Sequence, residues 1–195
     1  MDKHEVYATL NDAYFREDCH ERTLLDNLPR FLADAALFVD VGASLGQYTL
    51  TASRCMRHGR IIAVEADPIR HEELTRNAAR WAGESGRSIE TVFAAIGETA
   101  GTATFFTTQS NISGGLFPRP SADGVTLDDL CGELMPDFVK ADIEGAELRM
   151  LKGARRILEH GRTAFLLELH GWGDPHTSGE ESIPDFMRHY GYHPV

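Results

Sequence analysis

The sequence predicts an α/β protein in which a doubly wound, mostly parallel sheet carries helices on both faces. Three observations favour this class. Short apolar runs alternate with amphipathic helical patterns along the chain. The first run, 35–39, is apolar without alternation, which is typical of a strand buried on both faces. Several runs end in acidic residues, and parallel strands bring their carboxyl ends together at one edge of the sheet.

The segment 38–49 is the one around which the rest of the chain is organised. Its strand reaches Asp40, and Gly42 and Gly46 follow before a helical pattern begins. Glycine permits a tight turn and the close approach of a ligand, and the helix N-terminus after such a turn suits a nucleotide-like group. The spacing differs from the Gly-x-Gly-x-x-Gly pattern of dinucleotide sites. Taken alone, the loop is equally compatible with an ordinary turn that binds nothing.

A second buried strand at 61–64 ends in Glu65, about twenty residues after the glycine loop. This is the spacing of an acidic residue that accepts hydrogen bonds from ribose hydroxyls. Asp67 and Pro68 then suit the N-cap and first position of the next helix. Together with the glycine loop, Glu65 predicts a cofactor site.

The remaining elements follow from periodicity and from helix start and stop residues. A helical lead-in is predicted at 1–34, with a start or kink at Pro29 and a packing stripe formed by Leu24, Leu25, Leu28, Phe31 and Leu32. The helix after the glycine loop is expected to run to about Arg57, with Gly59 as its stop. Further strands are predicted at 89–96, 138–142 and 164–170, and further helices at 68–82, 147–160 and 182–190.

Residues 98–124 interrupt the alternation of strands and helices. A short strand at 102–106 is expected in a hairpin, and the glycine-, proline- and serine-rich stretch that follows predicts a loop. Long loops in compact domains are often lids or binding loops. We therefore expect a hairpin or lid insertion within a single domain that spans 1–195.

Composition excludes several classes of partner. The formal net charge of −11 is opposite to the basic footprint of a nucleic-acid binder. No apolar run approaches the length of a membrane span, and the N-terminus lacks the apolar core of a signal peptide. Cys19, Cys55 and Cys131 are far apart and odd in number, which favours a reducing compartment. We expect a cytoplasmic protein without nucleic-acid or membrane partners.

Six blocks in one order resemble the FkbM family of S-adenosylmethionine-dependent methyltransferases. They lie at 40–43, 64–68, 125–130, 140–147, 151–154 and 167–170. The Asp-Ile-Glu-Gly-Ala-Glu block at 142–147 and the Thr-Leu-Asp-Asp-Leu segment at 126–130 are the most specific. The resemblance implies a Rossmann-like class I methyltransferase fold, S-adenosylmethionine as cofactor and S-adenosylhomocysteine as product. It also implies O-methylation of a small-molecule acceptor of the natural-product or glycan type.

The resemblance also assigns site residues. Asp40 and the loop glycines would line the methionine moiety, and Glu65 would hold the ribose. Ala66 and Ala95 would flank the adenine, and Asp142 would approach the methionine end or the reacting methyl. The full cofactor-binding set predicted in this way is Asp40, Gly42, Ala43, Ser44, Gly46, Tyr48, Thr49, Glu65, Ala66, Ala95 and Asp142.

A hydroxyl nucleophile needs a proton acceptor, and the candidates are Asp142, Glu144, Glu168 and His170. The usual pKa of histidine suits neutral pH, although the sequence slightly favours His170 as a loop residue bonded to backbone. Glu168 follows an apolar run, where an idle buried charge is costly, and this favours a site role. Glu144 could instead cap the helix that follows, and Glu147 suits the first turn of that helix. The same three acids and one histidine could ligate a divalent ion, but their spacing does not establish such a site, and we expect no metal.

Two departures from the family pattern are visible. Ser44 stands where the family often has Asn. After the last predicted helix only 192–195 follow, so the C-terminal hairpin of a class I methyltransferase is expected to be short or missing. The sheet edge left behind could pair with a second subunit in a homodimer.

Alternative functions are a non-catalytic S-adenosylmethionine-binding module, or an N- or carboxyl-methyltransferase of a small molecule or peptide. A nicotinamide-dependent reductase is disfavoured because the third glycine of its pattern is misplaced.

Overall fold

The structure, a computed structural model, describes residues 21–103, 106–108, 116–118, 122–169 and 181–194. The strands in these residues are, in chain order, β1 (Leu37–Val41), β2 (Arg60–Glu65), β3 (Ser88–Phe93), β4 (Ala95–Gly97), β5 (Gly101–Ala103), β6 (Phe106–Thr108), β7 (Leu116–Pro118), β8 (Ala122–Thr126), β9 (Phe138–Ala141) and β10 (Ala164–Leu167). The helices are α1 (Arg22–Asn27), α2 (Pro29–Leu32), α3 (Gln47–Cys55), α4 (Pro68–Ser85), α5 (Leu127–Cys131), α6 (Glu147–Lys152), α7 (Arg155–His160) and α8 (Ile183–Arg188).

The central sheet has five strands in the order β10-β9-β1-β2-β3, and every neighbouring pair is parallel. This confirms the predicted α/β class and its mostly parallel sheet. β1 lies in the middle, between β2 and β9, with Asp40 in register with Ala63 on one side and Lys140 on the other. The strand order reverses beside β1, which is where ligands bind in open α/β sheets.

Alternate residues of β1 pack into two separate hydrophobic cores. Leu37, Val39 and Val41 belong to a core that also contains residues of α6 and α7. Phe38 belongs to the opposite core, formed with α1–α3. The strand is therefore buried on both faces, as its apolar run predicted.

The third predicted strand, 89–96, is divided in the structure. β3 ends at Phe93, and β4 belongs to a second sheet with the order β4-β8-β5. Periodicity alone could not show this change of sheet, because both pieces are short and partly apolar. β6 and β7 pair antiparallel, and the residues between them lie outside the described part of the chain.

The single helix predicted at 147–160 is also wrong, because Gly153 separates α6 from α7. A Cβ at this position would lie 2.2 Å from the carbonyl oxygen of Gly97, so β4 passes too close for any side chain. The apolar residues that recur at helical spacing along this segment are nevertheless buried: Leu148, Leu151, Ala154, Ile157 and Leu158.

The predicted packing stripe of the lead-in is only partly correct. Leu28 and Leu32 are buried, whereas Leu24 and Phe31 are 47% and 60% exposed. Pro29 occupies the first turn of α2, as expected, and divides the segment into two short helices. Residues 1–20 lie outside the described part of the chain.

Helix ends follow the predicted residues at some positions and not at others. Asp67 caps α4 by accepting hydrogen bonds from the backbone N–H groups of Ile69 and Arg70. α3 stops at Cys55, before Gly59, whose positive φ of 89° serves the turn into β2 instead. Within 181–194 the structure has α8 and no strand, and no helix among the described residues is long and apolar enough to cross a membrane.

Candidate functional site

The glycine loop packs against the residue that follows β9 on one side and against α4 on the other. Gly42 has a φ of 71°, and a Cβ there would lie 1.9 Å from the carbonyl oxygen of Asp142. Gly46 is the N-cap of α3 with a φ of 95°, and its Cβ would lie 2.7 Å from the ring of Trp81. Protein packing alone therefore requires glycine at both positions. The sequence suggested a different reason, the approach of a ligand.

Glu65 joins the tip of β2 to the glycine loop. One carboxylate oxygen accepts a 2.8 Å hydrogen bond from the backbone N–H of Ser44, and the other accepts one of 2.8 Å from Asp67. Glu65 is 8% exposed, and burial raises its pKa while the two N–H donors oppose that shift. Each oxygen keeps a further lone pair, so the carboxylate can still accept hydrogen bonds from a diol.

Asp40 is fully buried at the end of β1. Its Oδ2 accepts a hydrogen bond of 2.7 Å from the Thr49 hydroxyl at the start of α3. Burial raises the pKa of Asp40, and the nearby ammonium of Lys140 opposes this shift. Asp40 and Thr49 thus hold the loop between them and do not themselves reach the protein surface.

Lys140 was not among the site residues predicted from the sequence. Its Nζ donates a 3.1 Å hydrogen bond to the carbonyl of Gly42 and lies 3.7 Å from Asp40 Oδ1 and 3.8 Å from Asp142 Oδ2. The available signal was the two-residue periodicity of side chains in a strand. Lys140 lies in the buried strand β9 and Asp142 follows two residues later, so both side chains fall on one face. A lysine in such a strand almost always has a partner.

Three carboxylates converge beside this site. One oxygen from each of Glu21, Asp142 and Glu168 lies within 4.8 Å of the others. The hydroxyl of Tyr48 donates to Glu21, and burial followed by the charge of Glu21 raises the pKa of Tyr48. Acidic groups of this kind are common without an ion, so the expectation of no metal stays a prediction. Glu21 is a second residue that carried no signal in the sequence, because its segment has no motif.

The sequence matches the model of the Methyltransferase FkbM domain over residues 40–194. The chain belongs to the FkbM methyltransferase family. It is similar to the crystal structure of methyltransferase FkbM from Methylobacillus flagellatus KT, with a TM-score of 0.52 and 26% sequence identity. That match covers 69% of this chain and 32% of the other, so this chain spans about a third of that protein's length.

Two further structures show the fold alone. Precorrin-6y C5,15-methyltransferase from Geobacter metallireducens GS-15 has a TM-score of 0.51 and 17% identity, over 89% of this chain and 73% of that one. An rRNA methylase from Streptococcus thermophilus has a TM-score of 0.50 and 11% identity, over 84% and 79%. No curated protein sequence matches the chain. The FkbM resemblance and the class I methyltransferase fold expected from the sequence are both confirmed.

Other residues predicted for this FkbM site have varied surroundings. Ala43 is buried against Ala63 and Leu74, whereas Ala66 and Ala95 are half-buried. Their assignment to the cofactor stays a prediction. Of the candidate proton acceptors, Asp142 has 27% of its side chain exposed. His170 lies outside the described residues.

Two expectations about acidic residues are wrong. Glu168 is exposed, because β10 ends at Leu167 and the chain leaves the sheet there, so the argument from a buried charge fails. Glu144 is exposed with a φ of 55°, and the N-cap of α6 is Ala146. Glu147 is 2% exposed, and its Oε1 accepts from the backbone N–H groups of Ile143 and Gly145 at 3.0 and 3.3 Å. It therefore shapes the loop after β9 in addition to standing in the first turn of α6.

Proposed function

We propose that this chain binds S-adenosylmethionine at the carboxyl edge of its sheet and transfers the methyl group to a hydroxyl of a small molecule. The observation that carries the proposal is Glu65, held by two backbone N–H groups at the tip of β2 beside the glycine loop. Membership of the FkbM family supports the reaction class. The acceptor type, a natural-product or glycan hydroxyl, is part of the proposal and rests on the family resemblance.

The polar groups of the site fit such a cofactor. The carboxylate of Glu65 has lone pairs for two ribose hydroxyls. Asp40 Oδ1 is buried and makes no hydrogen bond within the described residues. The site also joins the Lys140 ammonium to the carboxylates of Asp40 and Asp142, so charges of both signs lie near the expected amino-acid end.

S-adenosylmethionine, when bound, supplies a methyl group already activated on sulfonium. The residues of this chain would orient the acceptor and take up its proton. Asp142 and Glu168 bring carboxylate oxygens to one point at the edge of the sheet, and both side chains are accessible. A carboxylate at this point can accept the proton that the hydroxyl loses. His170 follows two residues after Glu168 and stays a candidate for the same task.

Calorimetry with S-adenosylmethionine, S-adenosylhomocysteine and NAD tests the binding part. We expect the first two to bind and NAD not to bind, because the loop lacks the dinucleotide spacing. Glu65→Ala should weaken S-adenosylmethionine binding by roughly 1.5–3 kcal/mol, the worth of hydrogen bonds to a charged group. Glu90→Ala, which removes an exposed carboxylate from β3, is the matched control and should bind normally. Unchanged affinity in Glu65→Ala would remove Glu65 from the site.

The transfer part is tested with hydroxylated acceptors and mass spectrometry of the product. Glu168→Gln and His170→Ala should lower turnover more than cofactor affinity if either residue accepts the proton. Full turnover in both variants would leave Asp142 and Glu144 as the candidates. Tight cofactor binding without methyl transfer to any acceptor would instead support the non-catalytic module. Products methylated on an amine or a carboxylate would show N- or carboxyl-methylation in place of O-methylation.

A further inference from the structure

Lys140 occupies an unusual position for a lysine. It lies in β9 with β1 on one side and β10 on the other, and only 7% of its side chain is exposed. Because side chains alternate along a strand, Phe138, Lys140 and Asp142 share one face. Phe138 packs into the core below, so Lys140 stands where this face changes from apolar to polar.

The ammonium of Lys140 contacts four parts of the site. It donates to the Gly42 carbonyl in the loop, and it forms ion pairs with Asp40 on β1 and with Asp142 after β9. It also lies 5.0 Å from the centre of the Tyr48 ring on α3. One point charge thus joins two strand tips, the glycine loop and the first turn of the helix that follows.

Net stabilisation is a poor explanation for this arrangement. Burying an ammonium and a carboxylate costs desolvation free energy that their attraction often does not recover, and apolar replacements are frequently as stable. The two ion-pair distances, 3.7 and 3.8 Å, are also longer than hydrogen bonds. The arrangement is better explained by geometry, because its hydrogen bond and both ion pairs are to residues of the loop or of a strand tip.

We propose that Lys140 is a positioning residue: anchored by the buried carboxylate of Asp40, it holds the Gly42 carbonyl and the Asp142 carboxylate ready for the amino-acid end of the cofactor. This inference rests on the proposed function. Lys140 acts through these three groups, so its loss should weaken cofactor binding.

Burial raises the pKa of Asp40, and the charge of Lys140 opposes that shift. The groups that face Asp40 are Lys140 and Asp142 from β9 and its loop, and Thr49 and Tyr48 from α3. Its β2 neighbour in register is the uncharged Ala63. Lys140 is the cation among these groups and favours the carboxylate form. Without Lys140, Asp40 keeps its negative charge less readily. As the pH is lowered, cofactor affinity should therefore begin to fall at a higher pH than in the wild type.

The test is calorimetry of the full chain with S-adenosylmethionine from about pH 5 to pH 9. Lys140→Met should lose about tenfold or more in affinity near pH 7.5. As the pH is lowered, its affinity should also begin to fall at a higher pH than that of the wild type. Lys140→Arg keeps the charge with a different donor geometry, so it should lose severalfold in affinity with the wild-type pH profile. Lys152→Met, at the C-terminal end of α6, is the matched control and should behave as wild type.

The outcomes separate the two proposals. A wild-type chain that does not bind S-adenosylmethionine overturns the proposed function and this inference together. A wild-type chain that binds, with Lys140→Met unchanged in affinity and pH profile, overturns the inference alone. If circular dichroism shows that Lys140→Met does not fold, Lys140→Arg decides: weakened affinity with the wild-type profile supports the inference, and unchanged affinity or a shifted profile overturns it.

Discussion

The hydroxyl of Thr49 donates a 2.7 Å hydrogen bond to Asp40 Oδ2, and neither residue has any exposed surface. This contact joins the first turn of α3 to the C-terminal end of β1, and the glycine loop lies between these two elements. The two ends of the glycine loop are thereby held together by a hydrogen bond that requires the hydroxyl of Thr49 and the carboxylate of Asp40. Its strength should be measurable in folding and in ligand binding.

Thr49→Val removes the hydroxyl while keeping the branched shape. We expect unfolding in urea to show a loss of about 1.5–3 kcal/mol, because a buried carboxylate loses a donor. Thr51→Val is the matched control, since Thr51 is half-buried on the same helix and its hydroxyl donates to the backbone carbonyl of Gln47. It should change stability by less than about 0.5 kcal/mol. Equal effects of the two substitutions would contradict the importance of the Thr49–Asp40 contact.

Gly42→Ala should be strongly destabilising. Its Cβ would collide with the Asp142 carbonyl at 1.9 Å, and its φ of 71° disfavours any L side chain. We expect a loss of about 2–4 kcal/mol in chemical denaturation. Gly83→Ala is the contrast, because Gly83 lies inside α4, and apart from the backbone of that helix no atom of the described residues lies within 4 Å of its Cβ position. It should gain about 0.4–1 kcal/mol. A neutral Gly42→Ala would mean that the loop can move away from β9.

The burial of Asp40 predicts a specific dependence of stability on pH. Its pKa is raised by burial above the unfolded value of 3.8, so the folded state binds the proton more tightly than the unfolded chain. Its contribution is fully present below that unfolded value and is lost as the pH rises through the folded pKa. Asp40→Asn should remove this loss. The difference in unfolding free energy, wild type minus variant, should therefore be larger near pH 4 than near pH 7. A difference that grows towards neutral pH would show that the Lys140 attraction outweighs burial.

The cysteine thiols should differ in reactivity. Cys131 is 3% exposed, and burial raises its pKa to about 11. Cys55 is half-buried, and burial raises its pKa as well. Since the thiolate is the reactive form, we expect alkylation near pH 8 to modify Cys55 before Cys131 in the folded protein. Peptide mapping of the labelled protein distinguishes these sites from Cys19. Equal labelling rates under native conditions would show that the core around Cys131 opens readily.

Local sequence signals were sufficient where one segment decides its own structure. The apolar run of β1 and the cap at Asp67 were both predicted, because each depends on neighbouring residues in the chain. The division of the helix at Gly153 was not predicted, and neither was the reason for glycine there, because the backbone that excludes a side chain belongs to Gly97 in another strand. Glu168 was expected to be buried because its segment is apolar, whereas the point at which β10 leaves the sheet exposes it.

By itself, the sequence determined the α/β class, the FkbM family and the strand ends at which a site would form. These follow from periodicity and short motifs, which are properties of contiguous residues. Only the tertiary structure decided that Lys140 stands between Asp40 and Asp142, and that Glu21 meets Asp142 and Glu168. The contacts of Lys140 with Asp40 and Gly42 join residues about a hundred positions apart. They depend on which strands lie side by side, and no local pattern encodes that order.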